Sequence, residues 1–106
     1  MSLFPHEKLR CYGKALAVAR WFDGVRLPAW RHNLRDQGMR AMDSVVLNMA
    51  EGCSRGGKAG QNHFRIARGS AAELCAVLDR LALPDGEAQQ EELRAIGAML
   101  TGLAGR

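Results

Sequence analysis

Residues 34–53, LRDQGMRAMDSVVLNMAEGC, decide the fold because their apolar side chains repeat with the period of a long α-helix. On a helical wheel that starts at Leu34, one sector holds the residues that should face a core: Ala41, Met42, Val45, Met49 and Cys53. The helix is predicted to begin just after Pro28 and to end at the following glycines, Gly52, Gly56 and Gly57.

Three further amphipathic helices are predicted around it, at about 7–22, 59–83 and 87–104. Their core stripes are Leu9, Tyr12, Leu16 and Ala19 in the first, Phe64, Ala67, Ala71, Leu74, Cys75, Leu78 and Leu81 in the third, and Leu93, Ile96, Leu100 and Leu103 in the fourth. No segment alternates with the two-residue period of a strand. Residues 1–106 are therefore predicted to form a single all-α domain, an antiparallel up-down-up-down four-helix bundle.

A polar stripe runs beside the core stripe of the second helix. Its members follow one another at spacings of three and four: Gln37, Arg40, Ser44, Asn48, Glu51 and Arg55. Ser70 and Glu73 form a similar pair on the third helix. A solvated face is one interpretation. The other interpretation is that the stripe bonds to another helix or subunit, because serine and asparagine are unfavourable inside a solvated helix.

Apolar residues outside the predicted core stripes suggest a second contact surface. They are Ile66 and Val77 on the third helix and Cys11, Val18 and Phe22 on the first. A bundle of this size does not need them all in its core, so the sequence predicts a homo-oligomer.

Composition narrows the function classes. The 106 residues carry a net charge of +4, and charged residues interrupt every apolar run, so we expect neither a membrane span nor a signal peptide and predict a cytoplasmic protein. The charge is uneven: residues 26–68 carry eight Lys or Arg against three acids, and residues 69–106 carry three against six. An anionic partner would be favoured by the first of these regions.

Catalytic and metal-binding patterns are not found in the sequence. Cys11, Cys53 and Cys75 form no C-x-x-C pair and are interpreted as small apolar residues. His6, His32 and His63 are isolated and are expected at the surface or at helix ends. We therefore expect no enzyme activity, no cofactor and no metal.

Residues 52–59, GCSRGGKA, come within one residue of a phosphate-binding loop, since Ala59 stands where the pattern has serine or threonine. Such a loop follows a β-strand and opens a helix. Here the stretch follows a long predicted helix, so nucleotide hydrolysis is not expected.

Two blocks carry a family resemblance. Residues 44–52, SVVLNMAEG, and residues 64–74, FRIARGSAAEL, resemble the S-I-x-x-N-I-A-E-G and F-L-x-x-A-x-G-S-x-x-E-L signatures of the four-helix-bundle proteins encoded in intervening sequences of 23S ribosomal RNA genes. Residues 34–37 and 40–41 resemble the start of that family's second helix, whereas Met49, Gly38, Met39 and the segment 28–30 depart from its pattern.

The resemblance implies an antiparallel four-helix bundle that commonly assembles as a ring-shaped homopentamer, with no established enzyme activity. The architecture is also similar to the accessory variability proteins of diversity-generating retroelements. Those proteins bind a reverse transcriptase and nucleic acid through a basic surface. The partners implied are therefore a second copy, RNA or DNA, and a reverse transcriptase or other protein.

Basic residues are the candidate nucleic-acid ligands. Arg55, Lys58, Arg65 and Arg68 occur with no acid between them, and Arg31 and Arg35 lie near the other end of the second helix. The alternatives are that these side chains only confer solubility, or that Arg40 and Arg68 pair internally with Glu51 and Glu73. Only His63 and Phe64 interleave aromatic rings in the 55–68 cluster, and Phe64 is expected to face the core, so base stacking there is not predicted. The rival function is a scaffold that presents a basic face to an acidic protein partner.

Overall fold

The computed structural model describes residues 2–105, which form four α-helices and no strand. Their bounds are α1 (Arg10–Asp23), α2 (His32–Arg55), α3 (Gly57–Leu81) and α4 (Gly86–Leu103), with short 3-10 helices at Pro5–Lys8 and Ala29–Arg31. Met1 and Arg106, the two ends of the predicted domain, lie outside the described residues.

Contacts between helices establish the antiparallel order. Ser70 of α3 bonds to Ser44 of α2 in the middle of both helices, whereas the starting turn of α3 lies against the last turns of α2. In α4, Gln90 near the start bonds to the carbonyl of Cys75 in the second half of α3. One continuous core contains residues of all four helices. The predicted all-α, four-helix bundle is thus confirmed.

The helix starts differ from prediction where proline is near. The first helix was expected from about residue 7, but Leu9 is extended (φ −78°, ψ 130°) and separates the 3-10 turn from α1. Glu7 closes that turn by accepting the backbone N–H of Phe4 at 2.8 Å. Likewise Pro28 is followed by a 3-10 turn, so α2 begins only at His32.

Gly52 does not end the second helix, as the sequence had suggested, but lies buried inside it. A Cβ atom at Gly52 would come within 2.7 Å of the Phe64 ring. A Cβ at Gly60 of α3 would overlap the carbonyl oxygen of Gly52. The helix ends at Arg55, and Gly56 alone separates α2 from α3, with φ of 66° there and 58° at Gly57. The two helices therefore touch backbone to backbone.

A second glycine of α2 receives an aromatic ring in the same way. A Cβ at Gly38 would lie 2.5 Å from the ring of Phe22, which is fully buried. Gly38 and Gly52 are fourteen residues apart, about four helical turns, so they lie on one side of α2. The helix thus accepts Phe22 of α1 near its start and Phe64 of α3 near its end.

The core face of α1 lies about a quarter-turn around the helix from the predicted one, and Leu9, Tyr12 and Ala19 of the predicted stripe pack at its edge. The buried residues are Cys11, Ala15, Val18 and Phe22, whereas Leu9, Tyr12, Leu16 and Ala19 are only half-buried. Both stripes have helical spacing, and the contact of Phe22 with Gly38 selects the first. Val77 of α3, predicted outside the core, is also buried, while Ile66 is exposed. Of the five residues from which a second surface was inferred, only Ile66 therefore remains at the surface.

We expect Gly60→Ala to lower the free energy of unfolding by about 1–3 kcal/mol, because the backbone carbonyl of Gly52 cannot rotate away from the added methyl group. Gly69→Ala is the matched control in the same helix. Nothing lies within 4 Å of its added Cβ, so helix propensity should raise stability by up to about 1 kcal/mol. Urea denaturation of both variants measures the difference. Effects of the same sign would contradict close backbone contact.

Candidate nucleic-acid interface

The α2–α3 turn presents basic side chains. Arg55 ends α2, and Lys58 lies in the first turn of α3. Both are exposed. Gly56, the N-cap of α3, provides no side-chain cap, and no acid lies in the first turn of that helix. The near-match to a phosphate-binding loop thus spans a helix end, a turn and a helix start, with no strand before it.

Arg65 and Arg68 continue this surface along α3. Lys58 and Arg65 are seven residues apart, which places them on the same side of the helix. Arg65 donates to the carbonyl of Ala104 just after α4 at 3.1 Å, and Arg68 donates to the Thr101 hydroxyl at 3.3 Å. These acceptors are neutral, so the bonds position the two guanidinium groups without cancelling their charge.

The ion pair that the described residues form in this region is weak. Arg55 donates to Glu51 one turn earlier at 2.8 Å, and both side chains are at least half exposed. Such surface pairs are worth less than about 1 kcal/mol, so Arg55 can exchange Glu51 for another anion. We use the name basic surface for Arg55, Lys58, Arg65 and Arg68.

Arg31 and Arg35 lie at the opposite end of α2 and have other contacts. Arg35 donates to the backbone carbonyls of Val25 and Asp23, and so ties the start of α2 to the end of α1. The guanidinium carbon of Arg31 lies 4.4 Å from the centroid of the Trp30 ring. Arg35 is separated from Arg55 by about 30 Å of helix, so the two ends cannot share one phosphate.

A polar seam joins α2 and α3 through four short side chains. Ser70 donates its hydroxyl to that of Ser44 at 2.7 Å, and Asn48 donates its amide N–H to the carbonyl and hydroxyl of Ser44 at 2.9 and 3.1 Å. The Nδ1 atom of His63 lies 2.8 Å from the amide oxygen of Asn48. We call these four residues the polar seam.

The backbone carbonyl of Ser44 determines the proton positions in the seam. A carbonyl only accepts, so the NH₂ group of Asn48 must face it and the amide oxygen must face His63. The Nδ1 atom of His63 therefore carries the proton and donates. The hydrogen bonds of this part of the seam therefore all donate in one direction, from the ring of His63 to Asn48 and from Asn48 to Ser44.

Other predicted members of the polar network lie apart from the seam. Gln37, Arg40 and Glu73 are exposed, and Glu51 pairs with Arg55 within α2. His63, expected at the surface or a helix end, was missed as a seam residue. The sequence signal that could have identified it is its spacing of seven residues from Ser70. This spacing places His63 and Ser70 on the same side of α3, the side that faces α2.

The cysteines are thiols with no disulfide. Cys11 is buried, whereas Cys53 and Cys75 are half-buried beside the core. Burial raises the pKa of the Cys11 thiol and that of Cys53 above the ordinary value. Both therefore stay protonated near neutral pH, which makes them poor nucleophiles.

Within the described part of the chain, no three His, Cys, Asp or Glu side chains come close enough to hold a metal ion. No helix among residues 2–105 is long and apolar enough to cross a bilayer.

Comparison with protein families identifies a match over most of the chain. The model described as 23S rRNA-intervening sequence protein matches residues 7–102, a range that includes α1, α2 and α3 completely and α4 almost to its end. Both sequence blocks that suggested the resemblance lie inside it. Neither the curated proteins nor the solved structures gave a match.

A double-mutant cycle should detect the bond between Asn48 and His63. We expect Asn48→Ala and His63→Ala to lose about 1 kcal/mol or more each, and the pair to show a coupling of about 0.5–1.5 kcal/mol, the usual net value of one hydrogen bond. Asn62→Ala is the control because Asn62 is exposed next to His63. Chemical denaturation provides the four free energies. Strict additivity would mean that the contact contributes nothing to stability.

Proposed function

Because this chain belongs to the 23S rRNA-intervening sequence protein family, we propose that it is a non-enzymatic, homo-oligomeric bundle that binds the backbone of RNA or DNA through its basic surface. The observation that carries the proposal is the state of the four basic side chains. None is buried, and among the described residues the carboxylate that pairs with them is that of Glu51 at the surface.

The charge pattern supports phosphate as the ligand. Arg65 and Arg68 are positioned by neutral acceptors and retain their full charge, and Lys58 projects from the first turn of α3. The positive end of the α3 dipole adds to this positive potential, and no acid in the first turn of α3 offsets it. Repeating this surface around an oligomer would multiply the number of phosphates that it neutralises.

Recognition of this kind does not read base sequence. Contacts from arginine and lysine to phosphates fix position and supply affinity, whereas specificity needs side chains at base edges. We therefore propose binding with little sequence preference and strong dependence on salt.

Self-assembly is the second part of the proposal, with a homopentamer as the expected state. Leu47 of α2 and Ile66 of α3 are 63% and 44% exposed, and helical spacing places both on the solvent side of the polar seam. Two large apolar side chains at one level of neighbouring helices provide a contact that a second copy would cover.

The basic surface is tested by its salt dependence. If about four phosphates are neutralised, the affinity for duplex DNA should fall with a slope near −3 to −4 on a log–log plot against salt. The Arg55→Ala, Lys58→Ala double variant should reduce the slope by about 2 and weaken binding to all sequences alike. Fluorescence anisotropy between about 50 and 200 mM salt measures both quantities.

The matched control is the Arg80→Ala, Arg94→Ala double variant, which removes the same charge from the acid-rich half of the chain. It should leave the slope unchanged. Equal losses in both double variants would point to general electrostatic attraction, not to this surface.

No binding of RNA or DNA at low salt would contradict the proposal. Capture of one protein after nuclease treatment, whether an acidic protein or a reverse transcriptase, would then favour the scaffold function.

Assembly is tested by mass in solution. We expect a species of about 58 kDa, five times the 11.6 kDa of the chain, by light scattering. Leu47→Glu should shift the population towards the monomer because the contact would bury an unpaired carboxylate. Leu47→Met keeps an apolar side chain and should leave the mass unchanged. A monomeric native protein would refute the assembly proposal and leave Leu47 and Ile66 facing solvent.

A further inference from the structure

The segment that connects α1 to α2 carries the most exposed large apolar side chain among the described residues. Trp30 is 74% exposed. It lies in the 3-10 helix Ala29–Arg31, which follows Pro28 and is closed by a hydrogen bond from the Arg31 N–H to the Pro28 carbonyl at 2.9 Å. The indole is thus attached to a short, ordered turn.

Arg31 holds one face of this ring. Its guanidinium carbon is 4.4 Å from the ring centroid, a cation–π distance at which the planar group stacks on the indole. An aromatic ring has two faces, and the exposure of Trp30 leaves the other open to solvent. The pair therefore forms a flat platform with a positive charge behind it.

Further basic residues lie close to the platform in sequence. Arg26 and His32 are exposed on either side of it in sequence, and Arg35 keeps its charge because both of its acceptors are backbone carbonyls. The acids nearest in sequence are Asp23 and Asp36, both exposed. An open aromatic face flanked by arginines is the combination that accepts an unpaired base and the phosphates on each side of it.

We propose that Trp30 and Arg31 form a stacking platform for an unpaired base, so that the nucleic acid bound by this protein is single-stranded at this end of the bundle. The inference rests on the proposed function and narrows its ligand class. A duplex keeps its bases stacked inside and has no free face to offer the indole. The basic surface, where Phe64 is buried, offers no such platform.

The chain provides its own reporter, since it contains two tryptophans and only Trp30 is strongly exposed. In a Trp21→Phe background, the emission of Trp30 is followed while a single-stranded oligonucleotide of about 16 residues is added, and then its duplex. We expect the single strand to quench the emission and the duplex to bind without quenching.

The affinity test uses three variants. Trp30→Ala should weaken binding of the single strand about 5- to 150-fold, the range that one base–aromatic stack provides, without changing the salt slope or duplex affinity. Trp30→Phe should recover part of the loss, because a smaller ring still stacks. Arg31→Gln should lower both the affinity and the salt slope. Since Trp30 is exposed, circular dichroism should show unchanged folding in all three.

The outcomes separate this inference from the proposed function. If both nucleic acids bind but Trp30→Ala has no effect and the emission does not change, the platform is refuted and the basic surface stands. If neither binds at low salt, both proposals fail together. If the emission of Trp30 shifts with protein concentration alone, the ring is covered by a second copy, which overturns the platform.

Discussion

The close approach of α2 to α3 is the constraint on which the other features depend. At Gly60 the neighbouring backbone occupies the place that a Cβ would need, so any larger residue would push the helices apart. Serine and asparagine reach only a short distance, and Ser44 and Ser70 can bond directly only because the helices are this near. The glycine contact thus creates the polar seam, and the seam satisfies polar groups that would otherwise cost free energy on burial.

A seam made of hydroxyl, amide and imidazole groups also explains why carboxylate and guanidinium groups remain outside it. The sequence left open whether Arg68 and Arg40 were internal partners of Glu73 and Glu51. Arg68 instead bonds to Thr101, and Glu51 takes Arg55. No ion pair crosses between α2 and α3 among the described residues, because hydroxyl, amide and imidazole groups already fill that contact. The arginines and Lys58 are thereby left for contacts with solvent or with an anion.

Periodicity was sufficient to predict four helices and their order, because each has apolar residues at helical spacing and ends near glycine or proline. It failed on α1, where Leu9 and Leu16 form a stripe as regular as that of Val18 and Phe22. Only the fit of Phe22 over Gly38 distinguishes them, and a fit between distant residues has no local signal. The sequence likewise places Gly52 at a helix end, because its contacts with Phe64 and Gly60 of the next helix have no local signal. At the site, the basic cluster could be predicted from the uneven charge of the sequence. The hydrogen bond of His63 in the seam could not, because it depends on the register of α2 against α3.

The connection between α2 and α3 is a single residue, Gly56, with Arg55 before it and Lys58 two positions after it. A loop that carries binding residues must usually be immobilised when a ligand arrives, and the lost freedom is subtracted from the affinity. Here the two cations belong to packed helices whose mutual distance is set by backbone contact. Their backbone spacing is therefore established by folding. When an anion binds both residues, the backbone that carries them loses little further conformational entropy.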